Sequence, residues 1–184
     1  MKRTLIAALL SASVGAGVAT AQESVFGNQE DQDYAALVWA VMEQAKLAGD
    51  GAIMSFPYEG IEPHGLMLET FYTDATIEGH TGELIVKKNY GPEGVSADEV
   101  LMDPKKHLGS YTIMFRREAG YDSDNQDWFW AKYLPDGSLD QNPAGRLLAG
   151  RVAKGADAGC IACHVNAGGD DYVFTSDAGA MMDK

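Results

Sequence analysis

The spacing of apolar positions changes once along this 184-residue chain. From Asp33 to Ala48, apolar residues recur at four-residue intervals, at Leu37, Val41 and Ala45. That spacing predicts an amphipathic helix, which Gly49 would end. Beyond Pro63-His64-Gly65 the apolar residues gather instead in short runs, so we expect a change from helix to strand near this point.

Four later runs are rich in β-branched, aromatic and long apolar residues, and Gly, Pro, Asp and Asn separate them. They predict four strands of an antiparallel sheet, over Leu66 to Thr73, Glu83 to Tyr90, Tyr111 to Arg117 and Trp128 to Leu134. Asp103 to His107 is expected to be a turn or short helix, and Leu147 to Ala158 is a weaker helical candidate. The predicted fold class is α+β, an antiparallel β-sheet with an N-terminal helix.

The first 21 residues are predicted to be a secretory signal peptide. A basic start at Lys2 and Arg3 precedes a short apolar stretch and small residues that run to Ala21, the predicted cleavage site. The apolar run is too short and too rich in Ser, Gly and Ala to favour a membrane anchor, and no later segment could span a bilayer. We therefore expect a periplasmic protein with a flexible lead-in at 22–33 and one domain at 34–184.

The composition limits the possible partners. Without the two basic residues of the signal peptide, 12 basic residues stand against 27 acidic ones, a formal charge of −15. Such a chain repels nucleic acid and anionic lipid, so neither is an expected partner. The acidity suits docking to a soluble, basic redox partner, and it is also typical of soluble exported proteins.

Both cysteines of the chain lie in Cys160-Ile161-Ala162-Cys163-His164, the spacing of c-type haem attachment. Each thiol can add to one haem vinyl group, and the next histidine then meets the iron. A thioredoxin-like pair would need a βαβ setting, a zinc site would need further ligands nearby, and a disulfide would leave His164 unexplained. The motif predicts one covalent haem c in a C-terminal attachment segment, with His164 as the ligand to its iron.

The motif follows the predicted strands, whereas small all-helical electron carriers place it near their start and draw a Met ligand from downstream. Only Met181 and Met182 follow it. A methionine from upstream could also reach the iron (Met54, Met67, Met102 or Met114), although Met more often fills a core. We therefore expect a β-rich scaffold whose iron has an open sixth position for a small molecule.

Several further stretches carry a distinctive pattern: Pro63-His64-Gly65, Gly82 to Tyr90, Arg117 to Tyr121, Asp127 to Tyr133 and Asp171 to Thr175. Together with the haem motif they resemble the cytochrome P-460 family, which includes non-catalytic relatives called cytochromes c′-beta. The resemblance implies a homodimeric, periplasmic β-sheet cytochrome with five-coordinate haem. Catalytic members oxidise hydroxylamine, and nitric oxide reacts at the same iron.

The resemblance also implies a role for Lys87. The family crosslinks a lysine to a haem meso carbon, and that lysine corresponds to Lys87 in the Gly-x-x-x-Val-Lys strand. Alternation along a strand sends Lys87 and Lys88 to opposite faces, so one can point at the haem while the other meets solvent. Without the resemblance, both residues fit surface lysines that protect an edge strand from aggregation.

Catalytic relatives take protons from hydroxylamine with a distal carboxylate, a general base. Alignment of the strand that starts at Tyr111 puts Phe115 at that position. A phenyl ring cannot accept a proton, and an apolar distal wall suits nitric oxide or carbon monoxide. If the alignment shifts, Glu69 or Glu118 could supply the carboxylate.

The roles of the remaining histidines and arginines are less specific. His64 could line the haem pocket or bond to backbone in a turn. His80 and His107 are expected in exposed loops. Arg116 and Arg117 could pair with haem propionates or balance the acidic surface. The aromatic residues from 128 to 130 are expected in the core and at a dimer interface.

Three functions follow from these observations. The first is an oxidoreductase that acts on small nitrogen compounds such as hydroxylamine or nitric oxide. The second is a nitric oxide or gas-binding protein without turnover, like the c′-beta relatives. The third is simple electron transfer, which requires a sixth protein ligand to the iron.

Overall fold

The four apolar runs form four neighbouring strands of a six-stranded antiparallel sheet, so the α+β prediction is confirmed. The computed structural model describes residues 25–60 and 63–174. The strands follow one another in chain order: β1 (Tyr58–Glu59), β2 (Met67–Ile77), β3 (His80–Tyr90), β4 (Leu108–Arg116), β5 (Trp128–Tyr133) and β6 (Ala149–Gly150). The helices are α1 (Gln29–Gln44), α2 (Ala97–Met102), α3 (Pro104–His107) and α4 (Cys160–His164).

Some predictions concern segments that lie elsewhere in the chain. The predicted signal peptide, residues 1–21, and the two methionines Met181 and Met182 lie outside the described residues. Within the described ranges, no helix combines the length and the apolar character needed to cross a membrane.

Helix α1 begins earlier than its apolar spacing predicts. Asn28 caps it: its side chain accepts a hydrogen bond from the backbone N–H of Asp31 at 2.9 Å, and the Asp31 carboxylate accepts one from the N–H of Asn28. This capping box satisfies two amide groups that would otherwise lack partners. Residues 29–33 of the predicted flexible lead-in are therefore helix, which corrects that boundary.

The buried stripe of α1 also differs from the prediction. Tyr34, Ala35, Val38 and Met42 face the sheet, whereas Leu37 is 40% exposed. The predicted apolar stripe was wrong: the buried face of the helix is rotated about its axis from the face that carries Leu37, Val41 and Ala45. The prediction did not count Tyr34 and the small Ala35 with the apolar face.

The two faces of the sheet have different surroundings because side chains alternate along each strand. On β3, β4 and β5, one set of alternate residues packs under α1 in the main core, and it includes Leu84, Val86, Ile113, Phe115 and Phe129. The opposite set faces the segment that contains α4, and Ile85, Met114 and Trp130 form a second apolar cluster there. The sheet thus separates a helix-covered core from the side that carries the cysteine motif.

A buried ion pair lies on the core side. Lys88 Nζ is 3.3 Å from Glu69 Oε2, and the two side chains are 3% and 0% exposed. Tyr90 donates its hydroxyl to the same carboxylate at 2.6 Å, the backbone N–H of Ser55 donates to Oε1, and Lys88 donates to the carbonyl of Ile53. Burial lowers the pKa of Lys88, and the Glu69 carboxylate opposes that shift.

Two loop predictions have opposite outcomes. The turn or short helix expected at Asp103 to His107 is confirmed by α3. The helix expected over Leu147 to Ala158 was wrong: this stretch holds β6 and then turns, since Gly150 and Gly155 take positive φ angles of 95° and 71° that a helix excludes.

Replacement of either member of the Glu69–Lys88 pair should strongly destabilise the fold. Glu69→Gln or Lys88→Met leaves the other charged or polar group buried without its partner, and we expect each to lower the free energy of unfolding by about 3–5 kcal/mol. The double variant should lose less than the sum of the two, since no buried charge remains unpaired. Urea unfolding of the four proteins measures this difference.

The exposed ion pair between Lys105 and Asp50 provides the control. Its atoms are 2.6 Å apart, yet the side chains are 71% and 97% exposed. Asp50→Asn should therefore cause no measurable loss of stability. Additive losses in the Glu69–Lys88 double variant would contradict the coupling.

Candidate functional site

A cavity of about 450 Å³ lies on the sheet face opposite to α1, a size typical of small-molecule and cofactor sites. Alternate residues of three strands form its floor: Ile85 and Lys87 of β3, Thr112 and Met114 of β4, and Trp130 and Lys132 of β5. Its other walls come from residues 141–143, from Pro63 and His64, and from Cys160, Cys163 and His164. A more open groove of about 570 Å³ contains Glu59 as the only ionisable side chain among its described lining residues.

Helix α4 brings the cysteine motif to this cavity. Gly159 precedes the helix with φ of 122°, and a Cβ there would lie 2.4 Å from the Cβ of Ala153. Only glycine fits this approach, so it sets the direction in which α4 begins. Cys160 is partly buried and Cys163 is exposed. Burial raises the pKa of the Cys160 thiol to about 11.

His164 is buried and its ring is fixed. Its Nδ1 lies 2.7 Å from the backbone carbonyl of Tyr172. Because a carbonyl only accepts, Nδ1 carries the hydrogen and Nε2 keeps a free lone pair. The rings of Trp130 and Phe174 pack at 4.7 Å and 5.2 Å from its ring centre. A hydrogen bond from the ring nitrogen that does not bind the metal is typical of a histidine that ligates a metal.

Lys87 lies in the cavity, and Lys88 does not. The two side chains lie on opposite faces of the strand, in agreement with the predicted alternation. Lys88 was expected to face solvent, but it pairs with Glu69 inside the core. Burial lowers the pKa of Lys87, and negative charge on the Cys163 sulfur opposes that shift. The cavity thus holds an amine close to the cysteine motif.

The expectation that Phe115 forms the distal wall was wrong. Phe115 is fully buried under α1, where it contacts the rings of Tyr34 and His80. Its strand neighbours Thr112 and Met114 point the other way, into the cavity. An alignment shift of an odd number of residues transfers a side chain to the opposite face of a strand.

Neither alternative carboxylate reaches the cavity. Glu69 is paired with Lys88 on the core side, and Glu118 is bound to Arg117 at the surface. Among the described residues that line the cavity, none carries a carboxylate.

His64 is a cavity residue, as one of its two readings proposed. Its Nδ1 lies 3.1 Å from Thr112 Oγ1, and its ring centre is 6.0 Å from that of His164, with the two rings nearly perpendicular. Burial lowers the pKa of His64 to about 4.

The other two histidines lie outside the cavity. His80 is half-buried, with Nε2 3.1 Å from the carbonyl of Arg116. His107 is buried and bonded to the carbonyl of Gly91. The prediction that His107 lies exposed in a loop was therefore wrong.

The two arginines have protein partners away from the cavity. Arg116 pairs with Glu83 and Asp171 and lies over the ring of Trp128, and Arg117 pairs with Glu118. Of the upstream methionines proposed as iron ligands, Met114 lines the cavity, Met67 belongs to a separate apolar cluster, and Met54 and Met102 are exposed.

On β4 and β5, no cavity role was predicted from the sequence for Thr112, Trp130 or Lys132, although all three line the cavity. Trp130 was expected in the core or at a dimer interface, and it is 2% exposed. The register of the strands would have found them. Thr112 lies opposite Lys87, and Lys132 lies opposite Thr112, so both side chains share the face of Lys87. Trp130 lies two residues before Lys132 and therefore shares that face too.

The residues present fit a haem. The cavity is lined mainly by apolar side chains, two thiols lie at its edge, and a buried imidazole offers a free Nε2. Trp130 Nε1 is buried and finds no hydrogen-bond partner among the described residues, which leaves one polar group for a bound molecule. Such a set of donors matches a c-type cytochrome.

The comparison with known families agrees with this class. The family model for Cytochrome P460 matches residues 68–175, more than half of the chain. The chain therefore belongs to the Cytochrome P460 family and is a haem c cytochrome. Comparisons with curated proteins and with solved structures gave no significant match.

The two thiols of the haem-free protein should react at different rates. Cys163 is exposed, whereas Cys160 is partly buried with a raised thiol pKa, so less of it is thiolate near pH 8.5. We expect iodoacetamide to alkylate Cys163 at least about tenfold faster. Peptide mass spectrometry over time measures both rates, and Cys160→Ser and Cys163→Ser isolate each thiol. Equal rates would show that Cys160 is accessible.

Proposed function

We propose that this chain is a periplasmic cytochrome that binds small nitrogen compounds at one haem iron and exchanges electrons with them. Hydroxylamine and nitric oxide are the expected ligands. Cys160 and Cys163 hold the haem through thioether bonds, and His164 binds the iron. The observation that carries this proposal is the position of the motif: α4 brings Cys160, Cys163 and His164 to a single cavity, and the hydrogen bond of His164 leaves its Nε2 free.

The bound haem would supply an iron that accepts the ligand and takes up its electrons one at a time. The chain's own residues orient and enclose this site. The carbonyl of Tyr172 fixes the His164 ring, and Trp130 packs against it. Pro63 and residues 141–143 form part of the cavity wall. The acidic surface favours a soluble, basic electron acceptor.

A second candidate is a nitric oxide or gas-binding protein without turnover. It is favoured by the lining of the cavity, in which the described residues include no carboxylate to take protons from hydroxylamine. Loss of a general base typically costs about 10²–10⁴ in rate. Binding of a diatomic gas requires no such group.

Simple electron transfer would require a sixth protein ligand. Met114 is the upstream methionine that lines the cavity, but it also packs in the apolar cluster with Trp130 and Ile85. That packing supports a structural role for its side chain. We also propose that the protein is a homodimer, as the family resemblance implies.

Lys87 should form a crosslink to the haem in the mature protein. Its amine lies in the same cavity as both cysteines. We expect peptide mapping to find a Lys87 peptide attached to haem, and the ferrous Soret band to lie far to the red of an ordinary c-type spectrum. Lys87→Met should abolish both signals and leave the thioether attachment intact.

Lys132 is the matched control for this test. It also lines the cavity, but it is paired with Asp140 at 2.9 Å. Lys132→Met should keep the crosslink and the shifted band. A high-spin c-type spectrum in the unchanged protein, identical to that of Lys87→Met, would contradict the crosslink.

Hydroxylamine should reduce an artificial electron acceptor in the presence of the haem-loaded protein. Steady-state measurement of acceptor reduction checks this, and nitric oxide should inhibit because it competes for the same iron. His164→Ala should remove the activity, since the iron loses its protein ligand. Tight nitric oxide binding without any acceptor reduction would instead establish the gas-binding candidate.

A further inference from the structure

The cavity contains a polar pair that the proposed function leaves without a role. His64 and Thr112 come from different parts of the fold, the segment before β2 and the middle of β4, and they bond to each other at 3.1 Å. Both line the cavity. They lie at the cavity, whereas Phe115, which was expected to form an apolar wall of the ligand site, lies in the core under α1.

The hydrogen bonds around Thr112 favour one position for the hydrogen of the His64 ring. Asn89 donates from Nδ2 to Thr112 Oγ1 at 3.2 Å, so one lone pair of the hydroxyl is already used. The other partner of the Thr112 hydroxyl is His64 Nδ1, which can accept its hydrogen. If Thr112 donates to Nδ1, then Nε2 carries the hydrogen of the neutral ring.

The position of His64 relative to His164 defines what this hydrogen can reach. Their ring centres are 6.0 Å apart, and the two rings are nearly perpendicular. A histidine holds its metal about 2 Å from the ligating nitrogen. Because both residues line the same cavity, a small molecule on a metal held by His164 would share that cavity with the His64 ring.

We propose that His64 donates a hydrogen bond from Nε2 to the small ligand bound at the haem iron, and that Thr112 is the positioning residue that fixes its ring. This inference rests on the proposed function, since it needs a ligand at the iron. The wall of the ligand site is thus polar, although its described residues include no carboxylate. It would stabilise a bound ligand that carries partial negative charge, as iron-bound nitric oxide does.

The test uses the haem-loaded protein and two probes, carbon monoxide and nitric oxide. Infrared spectra of the ferrous carbon monoxide adduct report the hydrogen bond directly. His64→Leu should shift the C–O stretch to higher frequency and speed nitric oxide dissociation about threefold to tenfold, the effect of one hydrogen bond. His64→Gln, which keeps a donor, should restore part of both values.

Two further variants separate positioning from general damage. Thr112→Val should broaden and partly shift the C–O band, because the ring loses the bond that orients it. His80→Leu, a change outside the cavity, should leave the band and the dissociation rate unchanged. These two results would not follow if His64 merely supported the fold.

The outcomes distinguish this inference from the proposed function. An unchanged C–O stretch in His64→Leu would overturn the hydrogen bond while the ligand site stands. A low-spin resting iron that becomes high-spin in His64→Leu would overturn it too, because His64 would then ligate the iron itself. Failure of the unchanged protein to bind either gas would overturn the proposed function together with the inference.

Discussion

The alternation of side chains along β3, β4 and β5 is the constraint on which both halves of this molecule depend. Each of these strands contributes one set of residues to the core under α1 and the other set to the cavity. Two adjacent lysines consequently have unrelated environments: one is locked into a buried ion pair, and the other lines the site. The sheet therefore supports the core on one face and lines the candidate functional site on the other.

The parts of the site that the sequence predicts are those fixed by local spacing. The motif from Cys160 to His164 requires no knowledge of the fold, and the opposite orientation of Lys87 and Lys88 requires only a strand. Phe115 could not be assigned in the same way, because its face depends on the register between strands, where an error of one residue changes the face. The pairing of Lys87 with Thr112 gives that register.

Contacts between residues far apart in the sequence explain which features of the site and the core the sequence does not predict. His64 lies in a turn whose sequence gives no direction for its ring, and its bond to Thr112 joins residues 48 positions apart. The start of α1 was predictable in principle, since Asn28 and Asp31 form a recognisable capping box. The ion pair between Glu69 and Lys88 was not, because each residue by itself is typical of an exposed strand position.

The carbonyl of Tyr172 has a consequence for the redox chemistry of a haem held by His164. Metal-bound histidines often donate their second N–H to a carboxylate, which gives the ring partial anionic character and favours ferric iron. A neutral backbone acceptor draws less on that hydrogen, so His164 is the weaker electron donor. The reduction potential of such a haem should then be higher than with a carboxylate in this position, and its ferrous state would be the easier one to reach.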